Sequence, residues 1–154
     1  MTKHEQLDLV MFPRLHCTKG PAASKFNQAL SEDLICEKEL DMNLLLSAAH
    51  TYWDAFLMGN AEAGVNVLRI LMKTNFNAHS HGSKGLERLT RIAFEKLSEM
   101  GHPIVSYYEA LTKLCINGKG RKDWDMMDAL AAEGNEYASA LIKSYEEYEA
   151  ELAE

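Results

Sequence analysis

His79-Ser80-His81 is the one metal-like spacing in this chain of 154 residues. Two imidazoles two residues apart in a loop can bind zinc, but a catalytic zinc site usually takes three protein ligands. No HExxH motif is present and nothing fixes a third ligand, so the pair reads first as exposed polar loop residues. A small metal-dependent hydrolase using His79 and His81 is kept as a third reading. Cys17 stands beside His16, yet nucleophile and base are normally assembled from distant positions, so no catalytic cysteine is expected. Gly118-Lys119-Gly120-Arg121-Lys122 is glycine-rich and basic. It lacks the preceding strand and the spacing of a phosphate-binding P-loop. A turn between helices accounts for it.

Charge gives two candidate partner-binding surfaces. Lys84, Arg88 and Arg91 fall at i, i+4 and i+7, a basic stripe diluted by Glu87 and Glu95 at i,i+4 from Arg91. With a sequence pI near 5.4 the chain falls short of the basic patch that nucleic acid requires, so no direct nucleic-acid ligand is expected. The second surface is acidic. The last 32 residues carry ten acids against Lys143, or −9, while the first 122 carry +2. Glu146, Glu147, Glu149 and Glu151 lie at its centre; they form either a solvated helix face or a surface for a basic partner.

Composition bounds the rest. At 47% hydrophobic and 25% charged residues the chain has the makings of a single folded domain over 1–154. Cys17, Cys36 and Cys115 cannot all pair and form no CxxC, which argues against a disulfide scaffold or a zinc ribbon. The first eight residues are too polar for a signal peptide, and no apolar run approaches the roughly 18–20 residues of a membrane span. A cytoplasmic protein without membrane partner or cofactor is expected. The eight methionines, and Trp53 with Trp124, read as core fillers before they read as a binding surface.

The elements that would position these residues are helices. Leu86, Leu89, Ala93, Leu97 and Met100 recur at spacings 3, 4, 4, 3, one face of a helix. Gly101 can end it, and Pro103 suits the first position of the next. Further helices are expected from Pro21 with Phe26 and Leu30, from about Glu39 to Met58, and from Ala61 to Thr74. A loop should follow from Asn75 to Lys84. Beyond it come a helix with Ile104, Leu111 and Leu114, one N-capped by Asp123, and a last one with the stripe Tyr137, Leu141, Tyr145, Tyr148, Leu152. No alternating run supports a strand. The fold class is all-α, and Leu68, Leu89, Ala93, Leu97, Leu111, Leu114, Trp124 and Leu141 are expected to be buried.

Three junctions look alike: Met58-Gly59-Asn60-Ala61, Met100-Gly101-His102-Pro103 and Glu133-Gly134-Asn135-Glu136, with glycines 42 and 33 residues apart. Self-similarity at this period marks stacked helical hairpins. Gly101-His102-Pro103, then Asn117-Gly118-Lys119-Gly120, Asp123 and Ala131-Ala132-Glu133-Gly134-Asn135 together resemble the Sel-like repeat family, relatives of the tetratricopeptide repeats. The likeness covers about residues 98–138 and extends faintly back to Ser47-Ala48-Ala49. The helix after Asp123 is about a turn shorter than the family's, and residues 1–40, an N-terminal helical extension, match nothing. The resemblance implies antiparallel hairpins stacked as a short α-solenoid, with a compact irregular helical bundle as the alternative. It also implies a non-enzymatic scaffold or adaptor that binds another protein. An acidic inhibitor or immunity-type protein blocking a nucleic-acid-binding partner is the second reading.

Overall fold

The computed structural model describes residues 2–17, 19–20, 22–39, 42–77, 84–117 and 124–153. Among them the chain is all-α, without a strand. Its helices are α1 (Lys3–Met11), α2 (Ala23–Glu39), α3 (Met42–Leu57), α4 (Ala61–Asn77), α5 (Lys84–Glu99), α6 (Ile104–Asn117), α7 (Asp125–Ala132) and α8 (Glu136–Ala153). None of them is long and apolar enough to cross a membrane.

Helix ends follow from local chemistry. Gly59, Gly101 and Gly134 have φ of 99°, 70° and 98°, the left-handed backbone that ends helices at little cost for glycine. After Gly59, Asn60 N–H donates to Ala55 O at 3.1 Å, and Asn60 Oδ1 accepts from Ala63 N–H at 2.9 Å. After Gly134 the scheme repeats: Asn135 N–H donates to Leu130 O at 2.9 Å, and Asn135 Oδ1 accepts from Ala138 N–H at 3.1 Å. One Gly-Asn dipeptide thus closes a helix and caps the next. At Gly101 the cap is His102, whose Nδ1 accepts from Ile104 N–H at 3.2 Å. The apolar periodicity does not mark α1, which begins with a capping box: Thr2 Oγ1 accepts from Glu5 N–H, and Thr2 N–H donates to the Glu5 carboxylate.

Contacts divide the chain into two compact units, Arg14–Met100 and Met1–Pro13 with Gly101–Glu154. In Arg14–Met100, α2 packs on α3, α3 on α4 and α4 on α5, each helix against its neighbour in sequence. Helix α4 lies at the centre, with every residue from Ala63 through Met72 buried. Phe26, Tyr52 and Phe56 from α2 and α3 are buried with Leu68 of α4, the Phe26 and Tyr52 rings 5.5 Å apart. Helix α4 also runs through Asn77, so the expected loop is helical at its start. At its other end Lys84 already belongs to α5, and residues 78–83, with His79 and His81, lie outside the described residues, as do residues 118–123.

The inward face of α5 is narrower than its spacing implies. Ala93 and Leu97 are buried, but Leu89 is 40% exposed and Met100 is exposed as well. Helix α5 packs principally on α4 alone, and one neighbour covers the middle of an apolar stripe without its edges.

In the other unit α8 packs on α1 and α7, and α6 packs on α7. Leu7, Ile104, Tyr107, Tyr108, Leu111, Met127, Ala138 and Leu141 are buried. Tyr107 donates its hydroxyl to Met11 O at 2.7 Å, tying the end of α1 to α6. Trp124 and Leu114, both expected in the core, are only half-buried; Trp124 packs its ring 4.7 Å from Tyr145. The stripe of α8 also runs out: Leu141 is buried, Tyr137, Tyr145 and Tyr148 are half-buried, and Leu152 is 68% exposed. Helix α7, with eight residues, spans about 12 Å against about 27 Å for the eighteen of α8. It cannot cover the last turns.

Candidate functional site

Within the apolar run Val65-Asn66-Val67-Leu68-Arg69-Ile70 of α4 stand one amide and one guanidinium. Both are buried, Asn66 at 0% and Arg69 at 4% exposure. Polar groups in such positions require partners. Helix α2 supplies two carboxylates one turn apart: Asp33, 2% exposed, and Glu37, 41% exposed on its side chain. Arg69 Nη1 lies 3.8 Å from Asp33 Oδ1, and Nη2 lies 4.0 Å from Glu37 Oε1. From α3, Tyr52 donates its hydroxyl to Asp33 Oδ2 at 3.0 Å.

The remaining partners come from a non-helical strap, residues 14–17. Arg14 grips Asp33 with two nitrogens, Nε to Oδ2 at 3.0 Å and Nη2 to Oδ1 at 3.3 Å, while Nη1 donates to Glu37 Oε2 at 3.1 Å. Asn66 holds the next residue by its backbone: Oδ1 accepts from Leu15 N–H at 2.7 Å, and Nδ2 donates to Leu15 O at 2.9 Å. Further on, the Cys17 thiol donates to Lys19 O at 2.8 Å and accepts from Asn60 Nδ2 at 3.6 Å.

Two arginines and two carboxylates therefore interlock. Burial works against the Arg14 charge, but Asp33 and Glu37 outweigh it and raise its pKa above the ordinary value. Burial pushes the Tyr52 phenol up, and the charge of Asp33 with its hydrogen bond adds to this, against smaller opposing effects of Asn66 and Arg14. Tyr52 is thus a neutral hydrogen-bond donor at physiological pH. The arrangement holds the strap through charge-assisted hydrogen bonds.

The charged residues singled out by the sequence lie elsewhere. Arg88 and Arg91 are exposed on α5, and Lys84 is the first residue of that helix. Glu146, Glu147, Glu149 and Glu151 are exposed on α8, with Glu147 at 3.6 Å from Lys3 Nζ. The basic and acidic sets belong to different units. His16 is exposed while its neighbour Cys17 is buried. Among the described residues no three His, Cys, Asp or Glu side chains are grouped to hold a metal. Arg14, Asp33, Glu37, Asn66 and Arg69 escape a motif search because their contacts span 19 to 51 residues. The legible signal is Asn66 with Arg69 inside the otherwise apolar run from Val65 to Met72. Comparison with protein-family models, curated proteins and solved structures returned no match.

Proposed function

We propose that this chain is a non-enzymatic protein–protein interaction module, a scaffold or adaptor of stacked helical hairpins related to the Sel-like repeats, working in the cytoplasm. The observation that carries the reading is the α2–α3 hairpin. Leu34 and Ile35 on α2, Leu46 on α3, and Leu57 with Met58 at its end are all exposed. Exposed large apolar side chains carried by one hairpin are what a docking patch for another protein would present. The packing of each helix of Arg14–Met100 on its sequence neighbour supports the same reading, since such stacks leave their outer faces free for partners.

A photo-crosslinking side chain at Ile35 tests this. In cells of the source it should give a discrete covalent adduct with another protein, suppressed by excess unmodified chain. Adducts absent at Ile35 yet formed at Glu149 would overturn the assignment. The second reading, an acidic inhibitor of a nucleic-acid-binding protein, is favoured by the exposure of Glu146, Glu147, Glu149 and Glu151 along α8.

A further inference from the structure

The strap is a short, irregular piece of polypeptide held by groups that stand on helices. Two of its points of attachment, at Arg14 and Leu15, read different things. Asn66 offers one acceptor and one donor to the N–H and C=O of a single residue, Leu15. This recognises extended backbone whatever its side chain. Asp33 and Glu37 receive three directed N–H groups from Arg14. Such a planar fork suits a guanidinium, whereas a lysine ammonium supplies only a point charge.

The two receptor carboxylates keep partners when the strap is taken away, while Asn66 gives up both bonds to Leu15. Asp33 retains the Tyr52 hydroxyl and the Arg69 guanidinium, and Glu37 is exposed enough to be hydrated. Removing Arg14 therefore leaves no stranded buried carboxylate, the usual obstacle to opening a buried ion pair. Opening uncovers a site already shaped.

We propose that the face of α2 and α4 holding residues 14–17 is a binding site for extended, arginine-bearing segments of a partner polypeptide, and that the chain's own strap occupies it in cis. The proposal rests on the reading of the chain as an interaction module and names the class of partner. Tethering gives the strap a high effective concentration, so an incoming segment binds in proportion to the fraction of molecules in which the strap is released.

The test uses the full chain and a fluorescein-labelled synthetic peptide with the sequence of residues 12–17, serine replacing its cysteine. Anisotropy titrations compare the wild type, Arg14→Ala and Leu15→Pro, the last lacking the N–H that Asn66 accepts. The wild type should bind the peptide weakly and each variant about tenfold or more tightly, and citrulline in place of the peptide's arginine should abolish binding. Should one variant fail to fold, the other suffices. Should both fail, the wild type's preference for arginine over citrulline decides. Equal or absent binding of the two peptides by every folded protein overturns the proposal and leaves the strap an internal brace. Crosslinking at Ile35 does not depend on the strap, and its outcome shows whether the module reading falls too.

Discussion

A Cβ placed on Gly64 would come within 2.5 Å of two ring carbons of Phe56. The ring from α3 occupies the space that any larger residue of α4 would use, and Phe56 itself is buried there. The two helices approach as closely as they do because position 64 has no side chain.

Gly64→Ala is the first consequence. In an open helix this change stabilises by roughly 0.5–1 kcal/mol. Here overpacking should reverse the sign and destabilise by about 1–3 kcal/mol. Urea denaturation measures it, and the loss should shrink in a Phe56→Leu background, where the ring is gone. Stabilisation by Gly64→Ala would show that the ring moves aside freely.

Tyr52→Phe removes a hydrogen bond to a buried carboxylate and should cost about 1.5–3 kcal/mol near neutral pH. It should also change the alkaline limb of the stability profile. The folded phenol titrates above its ordinary value, so its contribution is complete below the unfolded pKa near 10. That contribution fades as pH rises past this value toward the folded one. Between pH 7 and about pH 10.5 the denaturation midpoint should fall further in the wild type than in Tyr52→Phe. Parallel profiles would contradict the assignment.

Helix α5 gives a paired prediction. Leu97→Ala empties a fully buried position and should destabilise by about 2–5 kcal/mol. Leu89→Ala, on the exposed edge of the same apolar stripe, should stay within about 0.5 kcal/mol of the wild type. Similar losses at both positions would put Leu89 in the core after all.

These positions show what was legible beforehand. Glycine punctuation located the junctions at Gly59, Gly101 and Gly134 because left-handed backbone is a local requirement. Periodicity likewise assigned Leu68, Leu97, Leu111 and Leu141 to the core. It misplaced Leu89 and Trp124 because the width of a buried stripe depends on how many helices cover it. Helix α1 lies in the expected helical extension, but its bounds were not assigned because its nine residues carry little apolar periodicity; the Thr2–Glu5 capping box was the legible signal. The strap site was hidden for a related reason: Leu15 and Asn66 meet across 51 residues. Nothing periodic records that meeting.

Changing Glu146, Glu147, Glu149 and Glu151 together to Gln should leave the chain folded and nearly as stable. All four are exposed, and the ion pair of Glu147 with Lys3 lies at the surface, where such pairs contribute little. On the module reading, affinity for the crosslinked partner is unchanged. The inhibitor reading requires that affinity fall, with association slowed most at low salt.

Amide hydrogen exchange at Leu15 is the most direct test of whether Asn66 and its neighbours hold extended polypeptide. The Leu15 N–H should exchange at least about tenfold more slowly than in a free peptide. Asn66→Leu should return it to the free-peptide rate while amides within α4 remain protected. Free-peptide exchange in the wild type, or undiminished protection in a folded Asn66→Leu variant, would contradict the account.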